Sequence, residues 1–331
     1  MRVAGRVRIS AAALWQPSGR ARAVDAVGNG SLAQVDAREA LCDEVAVSVP
    51  GGPPAWEMGL QACRHALSEV TLPASEVDFL SYAGMSATKE IPASPVHRLA
   101  RLLGVNDGVA VGVDQMSSGG DMALHTAVSA LLTEPRTRHA IACTGINTDG
   151  LPYDRWITAP EVVLGDGATA VVLCRDRGAL SIQSIGRAGC AEMELAYPRF
   201  HPFRPVPPGL GEQAGTLDFM RNATAIRETT GRAVDQALAD AGATSIDRVR
   251  LVCASRIRPR TIQLLVQGAL PPTLRDRVLP LGQTTGHLGP GDTLANLAEV
   301  LDRDLLAAGD LALFVGLGAG FTASALVVKR L

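Results

Sequence analysis

Two pairs of segments repeat the same pattern of apolar and polar positions along the chain. Residues 120–132 and 291–301 each open on Gly-Asp and continue with apolar residues at the 3.6-residue spacing of an amphipathic helix. Residues 163–173 and 315–328 each run from a glycine-rich bend into a β-branched strand. The repetition predicts an internal duplication, with an N-terminal half over residues 1–176 and a C-terminal half over residues 177–331.

The remaining elements alternate in a way that favours an α/β layered architecture. Residues 77–83 and 249–254 are short apolar runs typical of buried strands, and they follow predicted amphipathic helices at residues 58–69 and 218–241. The segment 197–215 contains five prolines, which exclude a helix or a central strand. We therefore expect this segment to be an ordered loop, and its position suggests that it covers a pocket.

The amino-acid composition argues against several classes of function, among them binding to nucleic acid and to membranes. The chain has 331 residues, 47% hydrophobic and 19% charged, enough for a large core but long for a single one. A net charge of -2 gives no basic surface for nucleic acid or for an anionic membrane. The six cysteines are scattered without a CxxC pair, and no apolar run approaches the ~18 residues of a membrane span. We expect a soluble, cytoplasmic protein without disulfides or bound metal.

Three glycine-rich turns, at residues 114–121, 286–292 and 316–321, carry the candidate chemistry. Together they hold the Ser117 hydroxyl, the His287 imidazole, the Asp292 carboxylate and backbone amides that small residues leave accessible. Acyl transfer needs this set: a nucleophile, a base, a group that orients the base, and donors for an oxyanion. These turns are therefore candidates for an acyl-transfer site, with Ser117 or its neighbour Ser118, His287 and Asp292 as the residues that could carry the chemistry.

A purely structural interpretation stays open for each of these residues. Ser117 and Ser118 stand ahead of a predicted helix, where serine commonly caps the N-terminus. Asp292 fits the first turn of the next helix, where a carboxylate complements the helix dipole. His287 is the more informative residue, because it lies in a glycine-flanked loop rather than on an apolar helix face.

The sequence resembles β-ketoacyl-acyl-carrier-protein synthase III and, more closely, the synthase-III-like acyltransferases of polyketide antibiotic pathways. The resemblance lies in Leu164-Gly-Asp-Gly-Ala-Thr-Ala-Val-Val-Leu173, in Gly318-Ala-Gly-Phe-Thr-Ala-Ser-Ala-Leu-Val327, and in the turn ahead of Ala123-Leu124. It covers the chain from about residue 58 to residue 328. It implies a thiolase fold, with two duplicated halves in five αβαβα layers.

The resemblance also implies roles for individual residues. Ser117 takes the place of the acyl-accepting cysteine, and Ala254 that of the first histidine. His287 falls on the family's asparagine and Asp292 on a serine five residues later. With one of the two donors for the enolate gone, we expect decarboxylative condensation to be impaired.

Further roles follow from the same resemblance. The amides of Ser117 and Ala319 would form the oxyanion hole, and Arg155 and Gly318 would contact a pantetheine arm. The expected reaction moves an acyl group from an acyl carrier protein, through an acyl-Ser intermediate, to a second carrier protein or a hydroxyl-bearing intermediate. No cofactor is expected beyond the phosphopantetheine arm of the carrier, or coenzyme A.

Partners and alternatives complete the hypothesis. Free coenzyme A thioesters are doubtful donors, because the tryptophan-bearing N-terminal segment that holds the adenine in the family has no match. Carrier-protein contacts are expected from Arg155 and from Arg98, Arg101 or Arg258 as surface residues. The resemblance implies a homodimer formed through the N-terminal half. A starter-unit condensing synthase that uses the serine, and a catalytically silent partner subunit of a synthase, are the alternatives.

Overall fold

The computed structural model of the protein describes residues 1–30, 32, 42–86, 94–151, 154–156, 162–196, 219–242 and 246–331. The proline-rich loop predicted at residues 197–215 lies outside the described residues. The small side chains around residues 85–88 also predict, together with that loop, the walls of an acyl pocket, and residues 87 and 88 lie outside the described residues as well.

Regular elements alternate along the chain. The β-strands are β1 (Arg2–Trp15), β2 (Gly19–Arg22), β3 (Glu44–Val47), β4 (Phe79–Ser86), β5 (Val109–Val113), β6 (His139–Asn147), β7 (Gly167–Cys174), β8 (Leu180–Gly189), β9 (Val249–Ala254), β10 (Val278–Leu279), β11 (Leu311–Gly318) and β12 (Thr322–Arg330). The main α-helices are α1 (Ala23–Gly28), α2 (Ala55–Glu69), α3 (Pro95–Leu103), α4 (Gly119–Thr133), α5 (Phe219–Ala241) and α6 (Asp292–Asp302). Shorter helical turns include Met116–Ser118, Pro259–Thr261, Ile262–Val266, Pro272–Arg277 and Gly289–Gly291.

Ten of these strands form one sheet that contains the same strand arrangement twice. The order is β10-β9-β11-β12-β8-β1-β7-β6-β4-β5. In the first half β4 pairs parallel with β5 and β6, and β7 pairs antiparallel with β6 and β1. In the second half β9 pairs parallel with β10 and β11, and β12 pairs antiparallel with β11 and β8. The antiparallel pair β1 and β8 joins the two halves.

Helices cover both faces of each half-sheet, which gives five layers. The outer layers are α2 and α3 on the first half-sheet and α5 on the second. Between the half-sheets lie α4 and α6, whose buried residues form one apolar cluster with strands of both halves. Every residue of β6 and β7 is buried, as expected for strands covered on both faces.

Local sequence explains where the helices begin and end. Proline occupies the first position of α3, where its missing N–H costs nothing. Gly104 follows the helix in the left-handed region, with φ 96°, and its N–H donates to the carbonyl of Ala100. Glycine reaches this conformation without strain, so α3 ends there.

Most predicted elements are confirmed. The strand predicted at 249–254 is β9, the strand predicted at 77–83 is β4 and begins two residues later, and the helices predicted at 120–132 and 291–301 are α4 and α6. The division of the chain at residue 176 stays a prediction, since the sheet is continuous across β1 and β8. Among the described residues, no helix is both long and apolar enough to cross a membrane.

The central layer gives a direct test of the packing. Leu124 of α4 is 1% exposed within the apolar cluster that joins the two halves. We expect Leu124→Ala to lower the free energy of unfolding by about 2–5 kcal/mol, because it leaves a cavity where the two halves meet. Urea unfolding followed by circular dichroism measures this. Val24→Ala, at a side chain 58% exposed, is the control and should cost under ~1 kcal/mol; equal losses in the two variants would contradict the layered core.

Candidate active site

The turn that carries Ser117, here called the nucleophile turn, spans residues 114–118 and connects β5 to α4. Met116 lies in the left-handed region, with φ 45°, and the turn Met116–Ser118 leads directly into the helix. This sharp reversal leaves Ser117 half-buried at the N-terminal end of α4. Its hydroxyl oxygen is 2.9 Å from Nε2 of His287, which is 170 residues away along the chain.

Glycines allow the two turns to approach so closely. A methyl group at Gly120 would overlap the carbonyl oxygen of Pro290, and one at Gly119 would lie 2.8 Å from Cβ of Ala83 and 3.2 Å from Cβ of Pro290. Any larger side chain at Gly120 would therefore force the α4 N-terminus away from the loop that carries His287. The paired glycines after Ser117 are a requirement of the site's geometry.

His287 is held through its backbone as well as its ring. Its N–H donates to the carbonyl of Val163 at 2.8 Å, and its carbonyl accepts from the N–H of Gly165 at 3.0 Å. Gly286 precedes it with φ 66°, and a methyl group there would lie 2.5 Å from the carbonyl oxygen of Val163. The loop is therefore pinned to the segment that leads into β7, and the His287 side chain is 8% exposed.

Asp292 begins α6 and is buried against the imidazole. Its Oδ2 lies 2.6 Å from Nδ1 of His287 and also accepts the backbone N–H of Arg256 at 2.7 Å. Its Oδ1 accepts the N–H of Leu288 at 2.8 Å. Burial alone would raise the pKa of Asp292, but the His287 imidazole, the Leu288 amide and the Arg256 charge outweigh burial and hold this pKa below its ordinary value.

These contacts fix the tautomer of the histidine. An ionised carboxylate only accepts hydrogen bonds, so Nδ1 of neutral His287 must carry the proton that points to Asp292. Nε2 is then an acceptor facing the Ser117 hydroxyl. Chemically the arrangement can take a proton from the serine, which is the first requirement of a serine nucleophile.

The structure also tests the interpretation that the serines and Asp292 serve only to cap helices. The N-cap of α4 is Ser118, but no side chain caps this helix, and the Ser118 hydroxyl donates to the carbonyl of Thr322 at 3.1 Å. Ser117 bonds to His287 instead. The N-cap of α6 is Gly291, and the Asp292 carboxylate receives hydrogen bonds from other segments. N-capping therefore explains neither side chain. Asp292 does lie in the first turn of α6, as the structural interpretation expects, but its carboxylate also binds groups outside the helix.

The third turn, between β11 and β12, lies against the nucleophile turn. A methyl group at Gly318 would overlap the Ser118 hydroxyl oxygen, so the bend that carries Ala319 packs directly on the residue after Ser117. Ala254 ends β9, buried, and brings no polar side chain. Burial raises the pKa of the neighbouring Cys253 thiol, which makes this cysteine a poor substitute nucleophile.

Arg155 has internal partners. Its Nη1 donates to the carbonyl of Leu164 at 2.8 Å and its Nη2 to the hydroxyl of Thr148 at 2.7 Å, with the buried Asp166 carboxylate 3.4 Å away. The Leu164 segment pairs with His287, so Arg155 supports the strand behind the imidazole. Its outer side borders an open pocket of about 450 Å³ lined by Arg20, Ala21, Arg22, Asp25, Ala26, Asn29, Asp154, Arg155 and Trp156.

The proposed surface arginines divide into two groups. Arg98 lies over the ring of Trp56, 5.3 Å from its centre, and Arg101 is exposed on α3. Arg258 was expected on the surface, and that expectation is wrong: the residue is 7% exposed. It stands just before the Pro259–Thr261 turn, where the chain packs inward after β9.

Solved structures similar to this chain identify the architecture. No protein-family model and no curated protein sequence matches the chain. The acyltransferase ChlB3 superposes with a TM-score of 0.86 at 26% identity, over 98% of both chains. The 3-oxoacyl-[acyl-carrier-protein] synthase III of Aquifex aeolicus superposes with a TM-score of 0.80 at 19% identity, over 98% of this chain and 100% of that one. The protein has the thiolase fold.

A further thiolase-fold neighbour is AbyA1, a tetronic acid condensing enzyme, with a TM-score of 0.80 at 19% identity over 98% of this chain and 99% of that one. The structural neighbours thus include both acyltransferases and condensing enzymes. The five-layered αβαβα arrangement expected from the sequence is confirmed.

Sequence reasoning missed the residues that hold Asp292 and the histidine loop. Arg256 is completely buried, and its backbone and side chain contact both. Asn296 accepts from Arg256 and donates to the carbonyl of Ala254. One signal was available, because Asp292, Asn296 and Glu299 lie on one face of an otherwise apolar helix.

The contact between the two turns is testable at Gly120. We expect Gly120→Ala to slow the reaction of Ser117 with a fluorophosphonate probe by about 100-fold, because the methyl group separates the serine from His287. Labelling rates by intact mass spectrometry measure this. Gly28→Ala is the matched control, since a methyl group there meets no atom within 4 Å; an unchanged rate in Gly120→Ala would contradict the required approach.

Asp121 provides a pH test of the same region. It is buried in the first turn of α4, and burial raises its pKa to about 6, with the Thr293 and Ser324 hydroxyls opposing and Asp292 adding to the rise. An acid whose pKa is raised on folding stabilises the native state at low pH, and this contribution is lost as pH rises through about 6.

We therefore expect the free energy of unfolding of Asp121→Asn to gain about 2 kcal/mol relative to the wild type between pH 4 and pH 7. Urea unfolding at both pH values measures the difference. Val24→Ala, which changes no titratable group, controls for other effects of pH. A difference between the Asn variant and the wild type that does not change with pH would contradict the buried carboxylate.

Proposed function

We propose that the protein is an acyltransferase that carries the acyl group on Ser117. The supporting observation is the continuous pair of hydrogen bonds, 2.9 Å from Ser117 to His287 and 2.6 Å from His287 to Asp292. The donor is the thioester of an acyl carrier protein, and the acceptor is a second carrier protein or a hydroxyl group of a pathway intermediate. The pathway class is polyketide natural-product biosynthesis.

In the first half-reaction the Ser117 oxygen attacks the thioester carbonyl while its proton passes to Nε2 of His287. Asp292 stabilises the imidazolium that forms. The tetrahedral intermediate collapses with cleavage of the C–S bond, and the imidazolium returns the proton to the leaving thiolate. The products are acyl-Ser117 and the free pantetheine thiol.

In the second half-reaction the acceptor thiol or hydroxyl gives its proton to His287 and attacks the acyl-Ser carbonyl. Collapse releases Ser117, which regains the proton. The amides of Ser117 and Ala319 are proposed as the oxyanion donors, each contributing about 3 kcal/mol to the barrier reduction. The packing of Gly318 on Ser118, which keeps the Ala319 bend close to the nucleophile turn, supports this assignment.

Several features favour transfer over condensation. Serine is rarely ionised near neutral pH, so it depends on an oriented base, and His287 with Asp292 has that geometry. Stabilising a thioester enolate during decarboxylation needs additional donors. Ala254 brings none. The similarity to ChlB3, named as an acyltransferase, points the same way.

The positive charge of the pocket beside Arg155 supports a donor that carries a phosphopantetheine arm. Three arginines, Arg20, Arg22 and Arg155, line the pocket behind the histidine loop, and a phosphopantetheine arm carries a phosphate. Gly318 is proposed to border the arm near the serine. Synthase III neighbours are named for acyl-carrier-protein chemistry, which is consistent with a carrier-borne donor. A cytoplasmic location fits the same proposal.

We further propose a homodimer formed along β5. This strand ends the sheet order, so one edge has no strand partner within the described residues. Its sequence is Val-Ala-Val-Gly-Val, without charge, and Val109 is 59% exposed. An apolar, uncharged edge strand is suited to pairing with a second copy.

The test is intact-mass spectrometry after incubation with a panel of carrier-bound acyl groups. We expect a mass increase equal to one acyl group in the wild type and none in Ser117→Ala, because the hydroxyl is the acyl acceptor. Ser118→Ala is the matched control, a neighbouring serine whose hydroxyl bonds to Thr322, and it should keep the adduct.

Other outcomes separate the alternatives. An adduct that persists in Ser117→Ala contradicts the proposal. Release of carbon dioxide from malonyl carrier protein would support a condensing synthase. Absence of any adduct, together with stable co-purification with a cysteine-bearing homologue, would support a silent partner subunit.

A further inference from the structure

Arg256 is the largest side chain in the described protein that is fully excluded from solvent. It stands two residues after the end of β9, a strand that is almost wholly apolar. A buried guanidinium is costly unless every donor is paired and a negative charge lies close by.

Each part of the guanidinium has a partner. Nε donates to Oδ1 of Asn296 at 2.9 Å, Nη1 to the hydroxyl of Thr285 at 2.6 Å, and Nη2 to Oε2 of Glu299 at 2.9 Å. The backbone N–H of Arg256 donates to Oδ2 of Asp292, the oxygen that also faces His287. Three of these four acceptors belong to α6, at positions i, i+4 and i+7, and form a polar stripe on one helix face.

The fourth acceptor, Thr285, belongs to the loop that carries His287. Its hydroxyl also donates to the carbonyl of Gly286, the residue before the histidine. At the start of the same loop, Gly282 has φ 94° and lies so close to the Arg256 stem that a methyl group would be 2.7 Å from Cγ. The loop thus packs around the arginine, with Gly282 against its stem and Thr285 bonded to its guanidinium.

The hydrogen bonds of Arg256 also bring charged groups together around Ser117, His287 and Asp292. Asp292 faces His287 on one side and the Arg256 backbone on the other. Glu299 binds the Arg256 guanidinium and, at its other oxygen, the exposed Arg303. The Arg256 charge is among the influences that keep the pKa of Asp292 low against the effect of burial.

We infer that Arg256 is the positioning residue of the Ser117, His287 and Asp292 array, joining the histidine loop to α6 so that the imidazole stays between the serine and an ionised carboxylate. The inference deepens the proposed function and rests on it for its kinetic readout. Arg256 touches neither the serine nor the imidazole in a hydrogen bond, so it acts through Asp292 and Thr285.

A purely structural arginine would affect stability alone. A positioning residue must also change the chemistry of the array. We therefore expect Arg256→Met to lower the rate constant of Ser117 acylation about 100-fold with the KM for the donor within about threefold. Loss of the cation should also change the pH profile of acylation, because the Arg256 charge is one of the influences that lower the pKa of Asp292.

Two further variants keep the test decisive. Arg175→Met is the matched control: its guanidinium bonds to the carbonyls of Leu131 and Glu134 at the end of α4, far from the array. It should change neither the acylation rate nor its pH profile. Thr285→Val removes only the acceptor that links Arg256 to the loop. If Arg256→Met does not fold, an acylation rate about 10-fold lower in Thr285→Val, with unchanged KM, supports the inference, and an unchanged rate overturns it.

A second readout does not depend on any substrate. The Nδ1 proton shared by His287 and Asp292 should give a low-field proton resonance in the folded wild type. We expect it to shift or disappear in Arg256→Met or Thr285→Val and to persist in Arg175→Met. If the wild type accepts no acyl group but the resonance behaves in this way, the proposed function fails and the positioning role stands. If acylation is normal in Arg256→Met, with an unchanged pH profile and resonance, the positioning role fails and the proposed function stands.

Discussion

The structure depends on a buried, ionised carboxylate at the start of α6. Asp292 accepts hydrogen bonds from one imidazole and two backbone amides, each from a different point in the surrounding chain. Without these donors, burial would raise the pKa of the carboxyl group. With them, the carboxylate selects one tautomer of His287, and that tautomer turns an acceptor nitrogen toward Ser117.

The repeated topology explains how residues so distant in sequence meet. The central helices α4 and α6 occupy equivalent places in the two halves, and their N-terminal turns come together between the half-sheets. One turn brings the serine and the other brings the carboxylate. Helix N-termini also favour negative charge, which suits both Asp292 and the oxyanion proposed beside Ser117. Glycines are needed where the turns touch, because the backbones themselves are in contact.

The sequence predicted the layered fold well because periodic apolar patterns report burial directly. The Gly-Asp openings of α4 and α6 and the apolar runs of β4 and β9 were visible without tertiary information. That Ser117 would meet His287 came from a resemblance, since no local pattern links positions 170 residues apart. Arg256 was missed for a similar reason: its acceptors lie 29 to 43 residues further on, and an isolated arginine has no signature of burial. Arg258 was misplaced because arginine is normally exposed, while its side chain here is covered.

The account therefore makes one geometric claim, that Ser117 receives an acyl group while His287 lies within hydrogen-bond reach of its oxygen. The most direct measurement is a crystal structure of the protein after reaction with an acyl carrier donor. The account predicts an ester on the Ser117 oxygen, with its carbonyl oxygen toward the amide of Ala319 and His287 still bonded to Asp292. An unmodified Ser117 in crystals that hold the donor, or an imidazole turned away from it, would contradict the account.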